Sequence, residues 1–69
     1  MTVEQFLSLI DCDQAQDTLI GVYVGGKEIA TETLEEFNSS YELEIKIQDL
    51  KIASFVFGFK CITILCYKD

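Results

Sequence analysis

A small α+β domain is predicted: a four-stranded, mainly antiparallel sheet with two short helices, in the order α-β-β-α-β-β. Three observations carry this. Two capping patterns, Thr2-x-x-Gln5 and Thr33-x-x-Glu36, each open a run with helical apolar spacing. A Gly25-Gly26 pair separates two strand-like runs. The C-terminal third is dominated by β-branched and aromatic residues. With 69 residues the chain holds one compact domain, 1–69, and no second core.

The first helix runs from Val3 to about Ile10. Thr2 accepts from the Gln5 amide and Gln5 reaches back, while Val3, Phe6, Leu7 and Ile10 form one apolar stripe. Asp11, Asp13 and Asp17 disfavour its continuation, because carboxylates sit badly at a helix C-terminus. Residues 18–24 and 27–32 then read as a hairpin about Gly25-Gly26, both of which tolerate φ > 0. Simple pairing sets Val24 opposite Lys27, Val22 opposite Ile29 and Ile20 opposite Thr31. This gives a core face of Ile20, Val22 and Ile29 and an outer face with Leu19, Tyr23, Glu28 and Glu32.

The second helix runs from Leu34 to about Ser39, with Glu35 and Glu36 complementing its dipole and Asn38-Ser39-Ser40 ending it. Leu43, Ile45 and Ile47 alternate with Glu44, Lys46 and Gln48, the pattern of a half-buried strand. The phase slips at Gln48-Asp49, where a bulge or tight turn is expected. From Phe55 to Tyr67 both faces are apolar, and Gly58 marks either a turn or a bulge. The helices are expected together on one face of the sheet.

Composition excludes several functions. The chain has no His and no Arg, hence no imidazole base, no Ser–His or Cys–His pair and no bidentate phosphate clamp. Five lysines against twelve carboxylates do not hold a nucleic acid backbone, so direct nucleic-acid binding is not expected. The odd set Cys12, Cys61 and Cys66 cannot all pair, and the opening Met1-Thr2-Val3-Glu4 lacks a signal-peptide pattern. A cytoplasmic protein with free thiols is expected. Cys61 and Cys66 fall on opposite faces of a strand, suited to packing rather than to zinc or redox chemistry. Lys51 and Lys60 interrupt the apolar stretch 50–67, which argues against a membrane span. Asp11-Cys12-Asp13 with Asp17 fails as a calcium loop, since Ala15, Gln16 and Val22 stand where ligands or glycine are needed. No metal, no cofactor and no catalytic residue is expected, and adjacent carboxylates such as Glu35 and Glu36 diverge on a helix.

Two features point to binding instead. Residues 1–44 carry ten acids and one lysine, −9, whereas residues 45–69 carry two acids and four lysines, +2, which sums to −7. Glu28, Glu32, Glu35, Glu36, Glu42 and Glu44 form a lysine-free run. It reads either as a solubilising surface or as a docking face for a protein partner with a basic surface. The docking reading requires these acids to stand together on a β scaffold. A chain helical past residue 42, or acids spread evenly, would remove it. Second, two short helices can roof only one sheet face. The other, carrying either the Phe55, Phe57 and Phe59 set or the Val56, Ile62 and Ile64 set, is expected to be an interface. A homodimer, or docking to a partner, through Phe55, Phe57, Phe59, Ile62 and Ile64 follows, unless the sheet curls enough to bury both faces.

The Thr-Val-Glu-Gln-Phe-Leu helix, the Gly-Gly hairpin, the Thr-Leu-Glu-Glu-Phe helix and the terminal strands together resemble the short acidic accessory proteins of Firmicutes phages and mobile elements, a group that includes many anti-CRISPR proteins. The resemblance spans the whole chain and rests on size, acidity and element order. It implies a stoichiometric inhibitor occupying the nucleic-acid-binding surface of a host effector such as a CRISPR nuclease. No functional residue carries over from it. The alternative is a structural or assembly protein that homodimerises through the apolar C-terminal sheet face.

Overall fold

The computed structural model describes residues 1–10 and 17–67. Helix α1 spans Val3–Ser8, strand β1 Leu19–Val24, strand β2 Lys27–Thr33, helix α2 Leu34–Ser39, helix α3 Tyr41–Ile47, strand β3 Lys51–Gly58 and strand β4 Cys61–Tyr67. Among the described residues the result is an α+β fold with one four-stranded mixed sheet and three short helices.

Both capping patterns act as their chemistry dictates. Thr2 Oγ1 accepts from the Gln5 N–H at 3.1 Å and the Thr2 N–H donates to Gln5 Oε1 at 3.0 Å, a complete capping box. Thr33 Oγ1 accepts from the Glu36 N–H at 3.2 Å and starts α2. Gly25 and Gly26 both hold positive φ, 59° and 82°, and form the two-residue turn between β1 and β2. Gly26→Ala places a Cβ on that left-handed backbone. It is expected to cost about 1 kcal/mol, read as a lower urea midpoint at unchanged slope.

The sheet order is β2-β1-β4-β3, with β1 parallel to β4 at the centre and antiparallel pairs on either side. The hairpin register departs from simple pairing. Val24–Lys27 and Tyr23–Glu28 pair as expected, but a bulge follows. Val22 then faces Ala30, Gly21 faces Thr31 and Ile20 faces Glu32. Ala30, not Ile29, is therefore the buried β2 residue, and Ile29 is only half-buried.

The largest correction concerns residues 41–47, which form a third helix rather than a strand. Ser40 caps it, its hydroxyl accepting from the Leu43 N–H at 3.4 Å, while the Glu44 N–H donates to the Ser40 carbonyl at 3.2 Å. Glu42 and Glu44 lie in its first turn and Lys46 in its last, as the dipole favours. Leu43 and Ile47 are buried, four apart, and Leu50 continues the stripe three residues later. Ile45, which a strand would have buried with them, is 48% exposed.

The fourth strand comes instead from division of the C-terminal segment. Gly58 ends β3, Phe59-Lys60 turns, and β4 returns antiparallel. A Cβ at Gly58 would lie 2.8 Å from Cys61 Sγ, so a side chain here requires the Cys61 side chain to turn aside.

The core lies between the helices and one side of the sheet. Val3, Leu7, Leu34, Phe37, Leu43 and Ile47 from the helices pack on Ile20, Val22, Ala30, Ile62, Ile64 and Cys66 from the strands. The paired residues Ile20–Ile62, Val22–Ile64 and Val24–Cys66 all lie on this roofed side.

Candidate functional site

Two surfaces are candidates, and the topology builds them on different parts of the molecule. The first is the helical layer. Glu4 on α1, Glu35 and Glu36 on α2, and Glu42 and Glu44 on α3 are all exposed, against one exposed lysine, Lys46. A groove of about 230 Å³ runs between the three helices, lined by Glu4, Leu7, Ser8, Phe37, Asn38, Glu44 and Ile47.

The six-acid set does not form one face. Glu28 pairs with Tyr23 on the side of the sheet away from the helices, whereas Glu35, Glu36, Glu42 and Glu44 ride on the helices. Glu32 is an exposed residue of the β2 edge. The chain is also helical past residue 42. The broad footprint on a β scaffold is therefore replaced by a smaller acidic patch on helices. The bulge separates Glu32 from Glu28: it sets Glu32 opposite Ile20, on the other side of the sheet from Glu28. Asp11, Cys12 and Asp13 lie outside the described residues. Asp17 is exposed, with Lys60 Nζ 3.5 Å from its Oδ2.

The second surface is the C-terminal hairpin and the unroofed side of the sheet. Strand pairing sorts it. Phe55 faces Ile64 and Phe57 faces Ile62, so both phenylalanines lie on the roofed side, beyond the helices' cover. Phe55 is 45% exposed and Phe57 64%, and Phe59 in the turn is 92% exposed. Phe6 reaches over from α1 to Phe55, ring centroids 5.1 Å apart and tilted by 42°. Phe55 meets Phe57 edge to face, also at 5.1 Å. The open side carries Leu19, Val56, Leu65 and Tyr67, all substantially exposed, with Thr63 and Cys61 between them.

This corrects the expected interface set. Ile62 and Ile64 are 6% and 0% exposed, sealed under the helices, and can touch no partner. Phe55, Phe57 and Phe59 remain available. Val56 and Leu19 belong to the accessible apolar surface together with Leu65 and Tyr67, which the expected interface set left out. Treating Phe59-Lys60 as strand rather than turn inverts the facing of one whole strand.

Ser8 Oγ donates to the Gln5 carbonyl at 2.7 Å, within its own helix, and no imidazole exists to take its proton. Among the described residues no three His, Cys, Asp or Glu side chains converge as metal ligands. No helix among the described residues is long and apolar enough to cross a membrane. Cys61 and Cys66 are free thiols on opposite sides of β4, Cys61 half-buried and Cys66 buried.

Burial pushes the Cys66 thiol above its ordinary 9.0, because the low-dielectric core disfavours the thiolate. The raised value means the folded state keeps the proton after the unfolded state has lost it. Stability is thus intact below about pH 9 and falls as pH rises beyond it. Alkylation by iodoacetamide at neutral pH is expected to label Cys61 well before Cys66, with Cys66 modified only as the chain opens. Equal rates by mass spectrometry would contradict that burial.

Comparison with protein-family models, with curated proteins and with solved structures finds no match to this chain.

Proposed function

We propose that this chain is a small, non-catalytic protein-binding module of the cytoplasm that assembles through its exposed C-terminal hairpin. The observation that carries this reading is the concentration of exposed apolar side chains on residues 55–67. Phe55, Val56, Phe57, Phe59, Leu65 and Tyr67 all stand open on a segment without a single carboxylate. In so small a domain such a surface is costly to leave wet, and contiguous apolar patches usually mark interfaces. Sedimentation over a range of concentration and salt tests it. Association indifferent to salt and lost in Phe57→Asp supports the reading; behaviour identical in wild type and Phe57→Asp removes it.

The helical layer favours a second reading, confined to the helix-borne acids and narrower than the β-scaffold footprint that α3 removes. Five exposed carboxylates against one lysine suit a partner with a basic surface, and the resemblance to phage-encoded acidic proteins suggests one that ordinarily holds nucleic acid, such as a CRISPR nuclease. On this reading the module is a stoichiometric inhibitor. Capture of the partner would weaken steeply with salt and survive Phe57→Asp.

A further inference from the structure

The two edges of the sheet are built differently. The β2 edge, Lys27–Thr33, carries Lys27, Glu28 and Glu32 and a bulge, the usual devices that stop edge strands pairing with strangers. The β3 edge has none of these along Ala53–Phe57 beyond the irregularity at its start: no charge, no proline and an exposed Phe-Val-Phe run. The chain covers part of this edge itself. The Val3 N–H donates to the Leu50 carbonyl at 3.1 Å, the Ile52 N–H donates to the Met1 carbonyl at 2.9 Å, and Thr2 bridges Lys51. The cover stops at Ile52. Among the described residues nothing pairs with the outer edge of Ala53–Gly58.

We infer that a second copy of this chain occupies that edge, its own Ala53–Phe57 pairing antiparallel about a two-fold axis to make a continuous eight-stranded sheet. Three arguments select this occupant. Charge is the first. Each chain carries −7, so two copies repel over most of their surface. Residues 50–67 hold Lys51 and Lys60 and no acid, and the seam residues 53–57 hold no charge. A basic partner, by contrast, is drawn to the helical layer and not here.

Facing is the second. Opposed residues in an antiparallel pair point to the same side. Ser54 and Val56 point to the open side and Phe55 and Phe57 to the roofed side. A register centred on Phe55 obeys this: Phe55 opposes Phe55, and Ser54 opposes Val56 twice over. Cross-strand aromatic and β-branched pairs are the stabilising unit of a sheet.

Clearance is the third. That register uses residues beyond the reach of Met1 and Thr2 and short of the turn at Gly58. Lys51 and Lys60 fall outside the seam, and Lys60 already has Asp17 as its counter-charge. The two Phe6–Phe55–Phe57 clusters then meet across the axis on the roofed side, and the two Val56 side chains lie near each other on the open side.

This inference rests on the hairpin reading but names its geometry, and one experiment separates the two. Full-length wild type, Phe57→Lys and Leu65→Lys are compared by sedimentation, with circular dichroism confirming that each variant folds. Leu65 lies on β4, one strand in from the seam and on the open side. Edge pairing predicts a wild-type dimer, its affinity weakened about 30-fold or more by Phe57→Lys, and little change with Leu65→Lys. Amide exchange at Phe55 and Phe57 slows as wild-type concentration rises. The reverse pattern, a dimer lost in Leu65→Lys with the β3 amides still exchanging freely, overturns edge pairing and leaves the hairpin reading in a face-to-face form. A wild type that stays monomeric at high micromolar concentration overturns the second copy as occupant. If an apolar reporter dye also binds wild type and Phe57→Lys alike, the hairpin reading falls with it.

Discussion

Leu34→Ala is expected to remove about half of the domain's stability. Leu34 is fully buried and is the first residue of α2, directly after the Thr33 cap. Its N–H donates to the Thr18 carbonyl at 2.9 Å, tying the start of α2 to the entry of β1. Its side chain sits among residues from both layers, so truncation opens a cavity that three short helices cannot easily collapse. Such truncations cost about 2–5 kcal/mol. A 69-residue domain has about 3–10 kcal/mol of stability in total. The loss is therefore a large fraction of the margin. Leu34→Met, which keeps the volume, is expected to cost less than about 1.5 kcal/mol. Urea unfolding followed by circular dichroism checks both. A Leu34→Ala midpoint close to wild type would mean that the helical layer does not hold the sheet.

Neutralising Glu35, Glu36, Glu42 and Glu44 together with glutamine is expected to abolish salt-sensitive binding to a basic partner. These four are exposed first-turn residues of α2 and α3, so each contributes through solvent at roughly 0.2–1 kcal/mol per pair. Four together give about 1–4 kcal/mol, or about 5-fold to 10³-fold in affinity. Binding to an oligolysine probe, read at about 50 and about 300 mM salt, should fall steeply with salt in wild type and be flat and weak in the variant. The same change removes favourable charge from two helix N-termini, so a modest loss of stability accompanies it and the folded fraction must be measured alongside. Unaltered, salt-dependent binding in the variant would mean that the helical acids only keep the chain soluble.

Different parts of this architecture were legible to different degrees. The Thr2 and Thr33 caps, the Gly25-Gly26 turn and the split facing of Cys61 and Cys66 follow from chemistry within a few residues. Residues 41–47 misled because Leu43 and Ile47 satisfy a period of two and a spacing of four equally well. Ile45 tipped the pattern toward a strand, yet it is the residue the fold leaves half in water. The deciding signals were Ser40 as a cap and Leu50 as the next turn of the stripe. For the interface, the segment was legible and the side was not. Phe55, Phe57 and Phe59 are exposed as expected, but Ile62 and Ile64 went under the helices once the turn at Phe59-Lys60 set the parity of β4.

Hydrogen bonds between near neighbours, glycine's freedom at positive φ and the placing of charge along the chain are written into the residues themselves. These gave the helix starts, the hairpin turn and the separation of an acidic front from a weakly basic, apolar rear. The parallel pairing of β1 with β4, the bulge after Val22 and the choice of which strand side the helices cover involve residues up to forty-odd positions apart. Period-two patterns are indifferent to one-residue offsets until a helical layer packs down and makes one offset bury isoleucine and the other expose it.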